Sequence, residues 1–179
     1  GLNLGGGKPV LIGDAQRVKS EAYFRALGRY VQSLNGRYIT AEDVNTSTKD
    51  MGYVAMETDH VVGLEGKSGN PSPVTALGVF YGIKAALHKK FGADEVEGRT
   101  FAVQGAGQTG YYLIGYLLEA GAKEVLFTEI NPRHVERMTR EHPQVRYVEP
   151  DAIYSQQVDV FSPCALGGVL NNDTIPRIN

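Results

Sequence analysis

A chain of 179 residues with 42% hydrophobic side chains is long enough to bury a sizeable core, as one large domain or one and a fraction. Its net charge of −2 excludes a global field that would gather nucleic acid or an anionic membrane, and no apolar run approaches the ~20 residues of a membrane span. The single cysteine, Cys164, has no partner within the chain, which fits a reducing compartment and a cytoplasmic protein, and no basic region followed by an apolar run marks a secretory signal.

The chain opens without methionine on "NLGGGKPV", residues 3–10, inside a motif, and so reads as a segment of a longer protein. Gly5, Gly6 and Gly7 precede Lys8. Either they form a loop needing positive φ with Lys8 solvated, or a backbone free of Cβ atoms lets a ligand or strand come close with Lys8 at its edge. Apolar residues from Val18 to Leu34 recur at helical spacing and predict an amphipathic helix over 16–34. A turn, a short β-type run "RYIT" and the polar loop "AEDVNTS" follow, then a helix near 48–57. "GLEGKSGNPSP", 63–73, is dense in loop formers and reads as a junction.

Pro71 and Pro73 suit the entry of a helix over about 72–91. From 99 to 166 strand and helix patterns alternate: "TFAVQ", "QTGYYLIGYLLEAG", "EVLFTEIN", "PRHVERMTREH", "QVRYVEP", "DAIYSQQ" and "VDVFSPCAL". That order implies a parallel sheet with right-handed crossovers, an α/β fold of the doubly wound Rossmann type. The expected division is 1–68 as part of an α/β substrate domain, 69–98 as connecting helix and linker, and 99–179 as a nucleotide-binding domain.

"GAGQTG", 105–110, is a GxGxxG that follows a predicted strand and opens a predicted helix, with Glu129 at the end of the next strand. Gly105 allows the tight turn, Gly107 lets the backbone approach a pyrophosphate, and Gly110 lets helix and strand pack closely. Ala106, Gln108 and Thr109 complete the loop, whose helix N-terminus would receive the phosphates. Glu129 is placed to accept both ribose hydroxyls and would repel a 2′-phosphate, which argues for NAD over NADP; Arg133, four residues on, could meet that phosphate instead. A glycine-rich turn with a solvated strand end is the bland alternative. His60, His88, His134 and His142 lack metal-ligand spacing, so no metal is expected.

"NLGGGKPV", "NGRYITAEDVNTS", "SGNPSPVTALGV", "VQGAGQTG" and "SPCALGG", in this order, resemble the amino-acid dehydrogenases of the glutamate, leucine, phenylalanine and valine group, most nearly the leucine type. The resemblance runs along the whole chain and implies roughly the central half of a family member. The opening strands, a preceding active-site lysine and the closing helices would lie outside it. It implies that Lys8 is the catalytic lysine and Asp43 its acid/base partner, facing across a cleft from the dinucleotide. There a desolvated lysine would activate water. Gly6 and Gly7 would let the loop reach under the substrate. The resemblance also implies that Thr75 contacts the nicotinamide amide and that Cys164, Ala165 and Leu166 lie beside its ribose. For Asp43 a loop or cap role, and for Thr75 a helix-face role, are the alternatives.

This sequence departs from the pattern at Gln108 and Thr109 and at Glu129, where aspartate is usual. Ala41 favours an aliphatic pocket, although a methylene-sized difference is worth only ~1 to 3 kcal/mol. The expected function is NAD-dependent, reversible oxidative deamination of branched-chain L-amino acids by a homo-oligomer. A phenylalanine or tryptophan type, or an NAD-binding segment without turnover, are the alternatives.

Overall fold

The computed structural model describes residues 3–178; residues 1–2 and 179, at the outer edges of the expected domains, lie outside them. The chain forms two compact units, Gly1–Pro71 and Ser72–Asn179.

In the first unit the helix expected over 16–34 is two helices, α1 (Ala15–Val18) and α2 (Glu21–Ser33). The apolar spacing runs through the break, but Ser20 adopts an extended backbone and its hydroxyl accepts from the Tyr23 amide, capping α2. α3 (Thr48–Ala55) is capped in the same way by Ser47. Phe24 from α2, Met51 and Val54 from α3, and Val61 form a small core. A Cβ on Gly28 would stand 2.7 Å from the Val54 carbonyl oxygen, so α2 and α3 pack at this distance only because position 28 has no side chain. The "RYIT" run has one strand neighbour: the Thr40 amide donates to the His60 carbonyl, and the Val62 amide to that of Thr40. Extended propensity alone builds no ladder where the facing segment turns away after one pair.

In the second unit four parallel strands, β1 (Thr100–Gln104), β2 (Glu124–Thr128), β3 (Arg146–Tyr147) and β4 (Val160–Pro163), lie in the order β3-β2-β1-β4. Phe101, Val103, Val125 and Phe127 face a core shared with α4 (Ser72–Phe91), α5 (Gln108–Glu119) and α6 (Pro132–Glu141). On the other face Ala102 and Leu126 pack against Val148, Ile153 and Tyr154, the last two from a 3-10 turn over Pro150–Ser155. The sheet is thus covered on both faces, which is why β1 and β2 are nearly continuous apolar runs. This is the Rossmann-type α/β fold, and its switch point lies between β1 and β4. The helix expected as a connector, α4, belongs to this unit; Ala76, Ile83 and Leu87 bury its inner stripe, and the Tyr116 hydroxyl donates to the Pro73 carbonyl. Among the described residues no helix is long and apolar enough to cross a membrane.

Candidate active site

Two groups of sequence-singled residues come together, one in each unit. In the first, none of Gly5, Gly6 and Gly7 has positive φ, so the triplet is not the left-handed loop that glycine runs suggest. Close approach is the operative reason at Gly7, where a Cβ would stand 2.9 Å from the Tyr38 ring. The Lys8 ammonium pairs with Asp43 Oδ2. Asp43 sits in a tight turn: its Oδ1 accepts from the Val44 amide at 2.7 Å, and its own amide donates to the Thr46 hydroxyl at 2.8 Å. The turn leaves the carboxylate one oxygen for Lys8. Asp43 is thus at once a turn former and the ion-pair partner of Lys8.

The pair stands on a groove of about 450 Å³ whose wall includes Gly7, Lys8, Tyr38, Ala41, Glu42 and Asp43; Gly6 does not line it. The side chains of Lys8 and Asp43 are 66% and 52% exposed, so in the first unit taken by itself the two meet as a surface ion pair. Two further residues shape the groove. Lys19 Nζ donates to the Asn45 carbonyl at 3.0 Å and pairs with Asp50 at 2.6 Å, tying the loop after Asp43 to the α1–α2 corner. Glu42 is buried beside Asp43. A lone lysine before a helix cap, and a glutamate in a polar stretch, carry no signal of this in the sequence.

In the second unit β1 runs into the fingerprint loop at the switch point. Gly105 has φ +92, and a Cβ there would meet Ala165 at 2.8 Å, so turn and close approach both require glycine. A Cβ on Gly110 would fall 1.8 Å from the Gly105 carbonyl oxygen, which fixes the approach of α5 to the loop. Around Gly107 nothing lies within 4 Å of such an atom. Gly107 also caps α5 without a side chain, which leaves the amides of the first turn, with Gln108 and Thr109, unsatisfied by any capping group.

Glu129 Oε2 accepts from the Ala106 amide at 3.0 Å, and Oε1 accepts from those of Ile130 and Asn131. The longer side chain thus braces the loop from the end of β2. A carboxylate has about four lone-pair sites, so capacity for a ribose hydroxyl remains. Open space at Gly107, bare helix amides and an adjacent carboxylate fit the pyrophosphate and ribose of a dinucleotide. Cys164 is half-buried beside Gly110, and burial pushes its thiol up, only partly offset by the Ser162 hydroxyl; Ala165 and Leu166 are exposed on the same loop. Thr75 lies in the first turn of α4, exposed.

Comparison with known proteins gives two adjoining matches. Residues 1–60 match the model of the Glu/Leu/Phe/Val dehydrogenase dimerisation domain, and residues 66–131 that of the Glutamate/Leucine/Phenylalanine/Valine dehydrogenases. The chain belongs to this dehydrogenase family. It is 53% identical to leucine dehydrogenase of Bacillus subtilis (strain 168), over 99% of the chain and 49% of that protein. The chain therefore spans about half the length of the relatives it matches. Among solved structures, L-tryptophan dehydrogenase from Nostoc punctiforme matches with a TM-score of 0.64 and 41% identity, over 90% of this chain and 46% of that one. The hetero-hexameric glutamate dehydrogenase of Thermus thermophilus (Leu bound form) matches with a TM-score of 0.69 over 93% and 46%; at 19% identity it shows the fold alone.

Proposed function

We propose that the protein carrying this chain is an NAD-dependent L-amino-acid dehydrogenase that oxidatively deaminates branched-chain substrates. The carrying observation is the Lys8–Asp43 pair on the groove of the first unit, in a chain whose second unit offers a dinucleotide cradle.

The division of labour follows from the chemistry. Bound NAD supplies the acceptor for the α-hydride of the substrate. The protein must deprotonate the substrate ammonium, then deliver a water oxygen to the resulting iminium carbon and protonate the departing nitrogen. Lys8, as the free amine, takes the proton from the attacking water. Asp43, anchored through Oδ1, relays protons to and from the nitrogen and as a carboxylate steadies the iminium charge. Gly105, Ala106, Gly107, Gln108, Thr109 and Gly110 receive the pyrophosphate, while Glu129 receives the ribose and disfavours a 2′-phosphate. Thr75, Cys164, Ala165 and Leu166 are assigned to the nicotinamide end on the family resemblance.

The preference for leucine, valine and isoleucine is supported by the small Ala41 and the apolar Leu11, Leu27 and Val44 on the groove. Identity to leucine dehydrogenases points the same way. A homo-oligomer built through residues 1–60 accords with the dimerisation-domain match and with the exposed Leu4 and Ile12. The lone cysteine accords with a cytoplasmic setting. The test is NADH production by the full-length protein with leucine, valine, isoleucine, phenylalanine and tryptophan. The aliphatic substrates should be favoured at least tenfold in kcat/KM; preference for an aromatic one would overturn the substrate assignment.

A further inference from the structure

Glu42 is the buried acid of the groove wall. It is 8% exposed, and its Oε2 is sealed from solvent with no hydrogen-bond partner. The backbone at Gly63 packs against it, and 61–64, "VVGL", brings no charge. The charged groups around it are Asp50 from α3, Lys19 from the α1–α2 corner, and Lys8 and Asp43 along the groove. The cations are already taken. Lys19 is paired with Asp50, whose Oδ2 also accepts from the Ser47 hydroxyl at 2.8 Å, and Lys8 is paired with Asp43. An ionised Glu42 would thus be a third carboxylate beside two neutralised pairs, with one oxygen buried and unsatisfied. A neutral acid removes the charge and leaves that oxygen a carbonyl, which is far cheaper to bury.

We propose that Glu42 is a positioning residue held as a neutral carboxylic acid, so that the Lys8–Asp43 pair works without a third negative charge on the groove. It rests on the reading of that pair as the proton-transfer machinery. Burial, and then the nearby Asp50, raise the Glu42 carboxyl above its usual range, which agrees with the geometry. The consequence for Lys8 is directional: an added negative charge favours its protonated form, whereas the reaction needs the free amine.

The test compares wild type with Glu42→Gln, the neutral isostere, in the full-length protein. A raised folded pKa contributes stability that is present below the unfolded carboxyl value and lost as pH climbs through the folded one. The two proteins' melting temperatures should therefore keep a constant gap at acid pH, and the gap should move in favour of the variant as pH increases. A neutral acid and its amide carry the same charge, so the acid limb of kcat/KM with an amino-acid substrate should superimpose in the two proteins, with kcat at its optimum within about twofold. An infrared carbonyl stretch of a protonated carboxyl should be present in wild type and absent from the variant. A gap that stays parallel across the whole pH range, a missing infrared band, or a variant that fails to fold would overturn the proposal. The same holds for a variant whose acid limb shifts, or one that loses kcat at every pH. The stability and infrared arms need no turnover, so a protein that titrates as described yet deaminates nothing refutes the functional reading and leaves Glu42 standing.

Discussion

The two units hold their candidate groups by different means. In the second, the site is made of backbone: Gly105 and Gly110 sit where any Cβ would strike main-chain atoms, and the amides of the loop and of the first turn of α5 present themselves at the end of a sheet buried on both faces. In the first, it is made of side chains: Lys8 and Asp43 meet as an exposed ion pair over a core of a few residues, joined to the rest by turns and one bridge. A backbone site is specified by shape and tolerates no added atom. A side-chain site tolerates many changes to its surroundings and none to its chemistry.

The sharpest way to break this contrast is to add one carbon to each unit. Gly110→Ala places a Cβ 1.8 Å from the Gly105 oxygen, and we expect about 3 kcal/mol of destabilisation together with loss of dinucleotide binding, read by equilibrium unfolding and NAD titration. Gly28→Ala, at 2.7 Å from the Val54 oxygen, should cost about 2 kcal/mol by forcing α2 from α3, while NAD affinity stays within about twofold. If Gly28→Ala abolished NAD binding in a folded protein, the separation of roles would fail.

A smaller effect lies in acid. Glu141, at the end of α6, accepts from the Tyr111 hydroxyl of α5 at 2.6 Å and pairs with Arg140 and Arg137; these bonds, that of Tyr111 foremost, lower its carboxyl to about 2. A depressed folded pKa means stability present above the ordinary carboxylate value of 4.5 and lost as pH falls through about 2. Glu141→Gln should flatten that part of the acid limb in a pH series of melting temperatures and leave the neutral range almost unchanged.

What the sequence disclosed follows the same contrast. β1 and β2 were legible because strands buried on both faces are apolar throughout, and the fingerprint because its glycines are required by backbone geometry at fixed spacing. The break at Ser20 was not, since apolar periodicity continues across a cap that one hydroxyl creates. Nor was the burial of Glu42, because "TAEDVNTS" reads as a solvated loop until the chain around it packs, nor that of Asp50, a carboxylate in the first turn of α3 whose partner Lys19 is remote in sequence. Lys8 and Asp43 were linked only by family resemblance; each is locally ordinary, and their meeting depends on a tertiary path that no short pattern encodes.

The central claim is that the first unit supplies proton chemistry and the second the dinucleotide site. It is tested most directly by Lys8→Ala in the full-length protein, measuring turnover of leucine and, separately, the Kd for NAD. Turnover should fall at least about 100-fold, the usual contribution of a general base, with Kd changed less than about twofold. Retained turnover, or an equal loss of NAD binding in a folded protein, would contradict it.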